Sequence, residues 1–331
     1  MHDAPLAPNS SKAVSPMRDP AFFRGSRKNR SYFEGWYFKC ISKDRKHAVA
    51  LIPGMAVSPD GKKHSFVQVI HAVTGKTYYF DFPYESFHAA VDRFDVDIEG
   101  NRFSPNGLRV AISRPDKGEI SGELIFSEQH VYPTSALHPG IMGPFSFVPN
   151  MECNHVIIHL SHRISGQLVL DGELLDFDGG AGYIEKDYGR SFPRTYVWIQ
   201  ASHFNNGEAS FVFSNARIPF LGSEFPGYFA YFSDFSKIWM RFATYNRSKL
   251  TAWEVDKTKG TCGGTLKGPA GTLTFTAEMS GGGKLRAPVD GLMDREIIES
   301  IGARVVIRLT DKKGNLIYEG VSGEAGMEIS L

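Results

Sequence analysis

Strict two-residue alternation of apolar and polar side chains recurs along this chain, and no other feature of it limits the fold as sharply. In TLTFTAEM, residues 272–279, Leu273, Phe275, Ala277 and Met279 fall on one face, with Thr272, Thr274, Thr276 and Glu278 on the other. A side-chain period of two marks a half-buried β-strand, because successive Cβ atoms point to opposite faces. GQLVLDGELLDF, EASFVFSNARI and ARVVIRLTDKKGNLIYEG read as further strands broken at Gly, Asn and Asp turns. The 34 Gly, 25 Phe and 13 Tyr residues suit strands joined by tight turns. Only LMDREIIESI, residues 292–301, reads as a helix. The expectation is an all-β protein.

The two halves echo each other. HVIIHLSHRISGQLVLDG, from His155, parallels RVVIRLTDKKGNLIYEG, from Arg304, and an Ala-Gly pair follows each: AGYIE at Ala181 and AGMEIS at Ala325. WYFKCISKDRKHAVALIPGMAVS from Trp36 likewise resembles WIQASHFNNGEASFVFSNARIP from Trp198. A repeat of about 150 residues is too long for a solenoid unit and suits a duplicated domain. The expected organisation is a disordered tail over residues 1–26, then two tandem lipocalin-like antiparallel β-barrels, 27–186 and 187–331. Closing each meander on itself hides its edges, and a barrel of this size holds one hydrophobic molecule.

Charge and cysteine content narrow the function. Lys plus Arg (37) nearly balances Asp plus Glu (36), so no nucleic-acid partner is expected. No window approaches the run of about 20 apolar residues that spans a bilayer, and the N-terminus has no apolar segment of signal-peptide type. Cys40, Cys153 and Cys262 lie apart with no CxxC pair, as expected of reduced thiols in a cytoplasmic monomer. The first 30 residues carry six Lys/Arg against two Asp, with RGSRKNR the densest run. That is a solvated tail or, alternatively, a weak peripheral contact with anionic lipid at a membrane surface.

GYIEKDYGRSFPRTYVWIQ puts charge among aromatic residues at the expected junction of the halves, where ligand clefts tend to form. In an extended chain Tyr183, Glu185 and Asp187 share one face, while Ile184, Lys186 and Tyr188 take the other. Two neighbouring carboxylates cannot both ionise cheaply, and burial among aromatics raises the pKa further, giving an acid useful near neutrality. The alternative is a structural cluster in which Lys186, Arg190 and Arg194 pair with the carboxylates and pin the halves together. His155, His159 and His162 cannot converge on an unbent strand, so no metal is expected. Glu152 and His155 in MECNH form a further candidate acid/base pair. Glu34 and Trp36 open the first strand, and Trp198 and Gln200 share a face of the matching one. Those rings either flank a cationic intermediate or fill a core. There is no GxSxG elbow, Walker loop, GxGxxG or HExxH, and no cofactor is expected.

YFEGWYFK, GPFSFVPNMECNH, GYIEKDYGRSFPRTYVWIQ and LRAPVDG follow one another in the order seen in the tocopherol cyclase family, which this chain resembles from about residue 31 to its end. The resemblance implies acid-catalysed, cofactor-independent closure of a ring on a prenylated quinol or related isoprenoid, without metal. An acid protonates an alkene, a phenol oxygen captures the tertiary cation, and water stays out. Asp187 or Glu185 would be the donor, with Lys186 and Arg190 positioning a ring oxygen and Tyr188, Trp198, Gln200, Glu34, Trp36, Glu152 and His155 lining the site. Tyr188 stands where the family carries Trp, and Asn154 where it carries Tyr, differences that bear on the substrate. A non-catalytic carrier of hydrophobic ligands is the alternative.

Overall fold

The computed structural model describes residues 19–135, 138–149, 151–220 and 223–331. Among them the chain forms 22 strands and three short 3-10 helices, arranged as one 12-stranded and one 10-stranded antiparallel sheet. None of these helices is long and apolar enough to cross a membrane. Each sheet curls round its own apolar core. Phe38, Phe103, Phe126 and Leu168 belong to the first core, Phe211, Phe275, Leu266 and Val305 to the second. A third cluster, with Tyr37, Ile157, Tyr183, Trp198 and Tyr231, draws on both sheets and packs the seam between them.

The two sheets repeat one strand path. In the first, the strand Tyr32–Ile41 lies between Ala48–Val57 and Gly180–Gly189, and the latter pairs with Cys153–Leu170. In the second, Tyr196–Phe204 lies between Gly207–Phe220 and Leu316–Ser330, and the latter pairs with Leu292–Asp311. HVIIHL and RVVIRL therefore sit on equivalent strands. They are not at equivalent positions: HVIIHL lies near the start of Cys153–Leu170, RVVIRL near the end of Leu292–Asp311. The repeated Ala-Gly pair has a steric reason. A Cβ on Gly182 would meet the His162 ring at 2.3 Å, and one on Gly326 would meet the Trp198 ring at 2.8 Å.

Four sequence expectations change. Residues 292–301 are not helical but open the strand Leu292–Asp311. Met293, Ile297 and Ile301 recur every four residues, a spacing that serves period 3.6 and period 2 alike. Here Met293, Ile297, Glu299 and Ile301 are buried while Asp294, Glu296 and Ile298 are exposed. Of the tail expected over residues 1–26, residues 1–18 lie outside the described residues, whereas Pro20–Arg24 is packed. Phe23 is buried against Trp36 and Phe87, and the Trp36 indole N–H donates to the Ala21 carbonyl at 3.2 Å. Third, Trp36 and Trp198 are one residue out of phase. Trp36 lies in the first core, Trp198 at the seam. Register makes Tyr37, opposite Glu185, the counterpart of Trp198, opposite Glu328. The strand Gly180–Gly189 also runs across the expected junction at Lys186.

Candidate active site at the seam of the barrels

The alternation read from GYIEKDYG decides what each face of the strand Gly180–Gly189 does. Tyr183, Glu185 and Asp187 face the seam, where Glu185 and Asp187 line a cavity with about 880 Å³ of empty volume, part of it open to solvent. Its walls are mostly apolar and aromatic, among them Phe192, Phe229, Tyr245 and Trp198, and Met142, Phe145 and Met151 cover it. A smaller cavity, with about 530 Å³ of empty volume that is partly open to solvent, is reached by Tyr37, Phe66 and Glu299 and shares Glu185, Asp187, Phe192 and Glu328 with the first. The carboxylates stand in the wall between two chambers.

His155 joins the two acids that the sequence reading set side by side. Its Nδ1 lies 3.0 Å from Asp187 Oδ1 and its Nε2 lies 3.3 Å from Glu185 Oε2, while its ring stacks on Phe229. Register places His155 opposite Asp187 and Ile157 opposite Glu185, so one flat stretch of paired strands presents all three groups. The Tyr183 hydroxyl donates to Glu185 at 2.7 Å, and the Cys153 thiol lies 3.6 Å from Asp187. Across the seam the Tyr196 hydroxyl donates to Glu328, and the Tyr37 hydroxyl to Glu299. Glu299 and Glu328 are themselves a cross-strand pair.

So many buried carboxyls cannot all be ionised. Burial pushes Glu185 up to about 8, against the pull of His155 and with a further push from Asp187. Glu328 is raised to about 7 by burial, opposed by the Tyr196 hydrogen bond, and Glu299 is raised well above the usual range by burial and by Glu328. Burial would lower His155, but Glu185 and Asp187 outweigh it and hold the imidazole at about 9. Glu185 raises the imidazole only as a carboxylate and His155 lowers Glu185 only as a cation, so the two hold their protons as one coupled pair beside Asp187. His155, Glu185 and Asp187 each bring a ligand atom within 4.8 Å of the others, a spacing that also suits a divalent cation. A metal there would have to displace the His155 proton first.

The remaining expected residues are not in this pocket. Lys186 points into the first barrel, where its Nζ lies 2.5 Å from Glu34 and donates to the carbonyls of Pro20 and Phe22. It also lies over the Trp36 ring, 5.1 Å from the centroid. Lys186, Glu34 and Trp36 therefore build the wall rather than touch a ligand in the pocket. Tyr188, Arg190 and Glu152 line a separate open groove, and Arg190 pairs with Asp290 at 2.6 Å. Neither Lys186 nor Arg190 pairs with Glu185 or Asp187, as the structural-cluster alternative required. The His155 ring is paired with Glu185 and Asp187, and no ion pair joins it to Glu152 among the described residues. Gln200 is buried in the seam on Lys39, 3.1 Å from its Nζ. Two bulges let His159 and His162 meet, with Nδ1 atoms 3.2 Å apart, away from His155.

Sequence reasoning missed Tyr196, Tyr37, Glu299 and Glu328. Glu328 had a signal: it belongs to AGMEIS, the echo of AGYIE, and is the counterpart of Glu185 by register. Glu299 was hidden by the helical reading of residues 292–301.

Comparison with known proteins agrees with this architecture. The family model described as tocopherol cyclase-like matches residues 133–331. No curated protein sequence matched. Among solved structures, CghA superposes with a TM-score of 0.59 at 11% identity, covering 98% of this chain and 94% of its own. CghA with Sch210972 gives 0.56 at 10% identity, over 91% and 88%. Kievitone hydratase from Nectria haematococca gives 0.50 at 12% identity, over 99% of each chain. At such identities the likeness is one of fold. The family match spans the second half of the acid cluster as well as the first, taking in His155, Glu185, Asp187, Glu299 and Glu328, and by that match the chain belongs to the tocopherol cyclase-like family.

Proposed function

We propose that this protein is a cyclase- or hydratase-type enzyme that protonates an alkene of a prenylated quinol or related isoprenoid held at the seam. Glu185 carries the reading: a buried carboxyl, raised to about 8, in the wall of an apolar cavity. Of the two donors the sequence offered, Asp187 is taken up by His155. Glu185 gives its proton to the less substituted alkene carbon, leaving a tertiary cation beside Phe229 and Trp198, whose faces stabilise positive charge. A phenol oxygen of the same molecule then attacks the cation, and its proton returns to the Glu185 carboxylate. Bonds and protons balance, so the cyclisation is an isomerisation needing neither redox cofactor nor metal. The same cation captured by a water gives a hydrate. The structure of CghA with Sch210972 and the name of kievitone hydratase support small-molecule chemistry on this fold.

The Trp198 indole N–H is buried, lines the pocket and has no acceptor among the described residues. A substrate oxygen is the partner it lacks, since a buried donor is costly unpaired. Incubation with a panel of prenylated quinols, read by mass spectrometry, tests the reading. Cyclisation gives a product of unchanged mass and new retention, and hydration adds one water. Glu185→Gln should keep the ligand and lose about 10²–10⁴ in rate, the scale of a general acid. Ligands that bind and return unchanged across the panel would make the protein a carrier.

A further inference from the structure

RGSRKNR has no part in the acid site, yet the structure gives it a place. Arg24, Lys28 and Arg30 line an open groove together with Arg190, with about 1830 Å³ of empty volume. Four cations stand there against two carboxylates, Glu152 in the wall and Asp290 on Arg190. Two of the cations are held on aromatic faces: the Arg24 guanidinium lies 5.6 Å from the Tyr188 ring centroid and the Lys28 ammonium 5.3 Å from that of Tyr32. Arg24 donates through one terminal nitrogen to the Asp19 carbonyl at 3.2 Å, but its Nε is buried with no partner among the described residues. A guanidinium so placed is missing an acceptor.

The groove adjoins the acid pocket. Met151 lines both, and neighbours in sequence divide between them: Cys153 and Asp187 face the pocket, Asn154 and Tyr188 the groove. Glu185 and Gly189, which lines the groove, lie four residues apart on one strand, about 13 Å at 3.3 Å per residue. An extended chain of three to four isoprene units spans that distance.

We propose that the groove binds the anionic head, a carboxylate or phosphate, of the same amphiphile whose apolar chain enters the pocket. This rests on the reading of the pocket as an isoprenoid site and narrows its substrate to a prenyl acid, a prenyl phosphate or a prenylated ring bearing such a group. The head, fixed at Arg24, Arg30 and Arg190, sets which alkene along the chain reaches Glu185. A neutral chain of the same length binds without that register.

The test uses the full chain with all-trans retinoic acid and retinol, which share one polyene and differ in the head, each titrated by quenching of tryptophan fluorescence. Retinoic acid should bind at least tenfold more tightly at low salt, and the preference should shrink as sodium chloride is added. Inorganic phosphate should compete with retinoic acid and leave retinol unaffected. The double variant Lys28→Glu/Arg30→Glu, at two exposed positions, should abolish the preference while leaving retinol affinity unchanged. Equal affinity of the native chain for both retinoids overturns the anionic-head proposal alone. Binding of neither retinoid overturns it together with the isoprenoid reading. Sedimentation with phosphatidylglycerol vesicles through Lys28 and Arg30, without any retinoic acid preference, makes the groove a membrane contact and also overturns it.

Discussion

Glu185, the proton donor we propose, also bears on stability. Its folded value of about 8 lies above the ordinary 4.5, so the folded chain binds this proton more tightly than the unfolded one. That contribution is fully present below the unfolded value and is lost as pH rises through about 8. His155, raised from 6.5 to about 9, behaves alike: its contribution is present below 6.5 and is lost through about 9. The native chain should therefore lose melting temperature steadily between about pH 4.5 and 9. Glu185→Gln, which has no proton to lose, should lose less over the same range. Calorimetry at a series of pH values checks this, and parallel curves for the two proteins would remove Glu185 from the buried, protonated class. Residue types and alternation in YIEKDYG were enough to place Glu185 and Asp187 on one face. Their partner was not legible, because His155 reaches them across a strand pairing that only the register fixes.

The strand Gly180–Gly189 keeps unlike environments on its two faces. On one stand acids that share too few charges; on the other, Lys186 and Glu34 form an ion pair shut away from water. Burial lowers Lys186 while Glu34 pulls it back up. Breaking a buried pair from one side strands the other charge, at about 3–5 kcal/mol. Lys186→Met should destabilise the chain by that amount in urea unfolding, and adding Glu34→Leu should recover most of it. Failure of the second substitution to recover stability would mean that Lys186 matters through the Pro20 and Phe22 carbonyls instead. At this scale the sequence was legible wherever period two stood unmixed. It misled where apolar residues fell four apart, as in Met293, Ile297 and Ile301, since that spacing satisfies a strand and a helix equally. The one-residue phase difference between Trp36 and Trp198 was likewise invisible, because two tryptophans of similar context look alike until pairing assigns their faces.

Over the whole molecule, two cores are joined by a third. Tyr37, Ile157 and Tyr183 of the first sheet pack with Trp198, Val212 and Tyr231 of the second, and Lys39 is buried across the seam on Gln200 and the Glu324 carbonyl. Neither barrel can lose its fold without exposing that surface. Thermal unfolding should be one transition, with calorimetric and van't Hoff enthalpies equal. Two resolved transitions would show that each barrel stands alone. The duplication was legible in the sequence because both copies keep the same strand path. The acid cluster was only half legible, since Glu299 and Glu328 join Glu185 through the packing of one copy on the other. That division of labour bears on how such a protein changes over generations. Each copy guards its own interior, whereas the acid cluster sits on the surface where the copies meet. Substitutions there can alter which molecule is accepted and what becomes of it while both interiors stay as they are. On the proposed reading, a lineage built this way can exchange one reaction for another without passing through an unfolded ancestor.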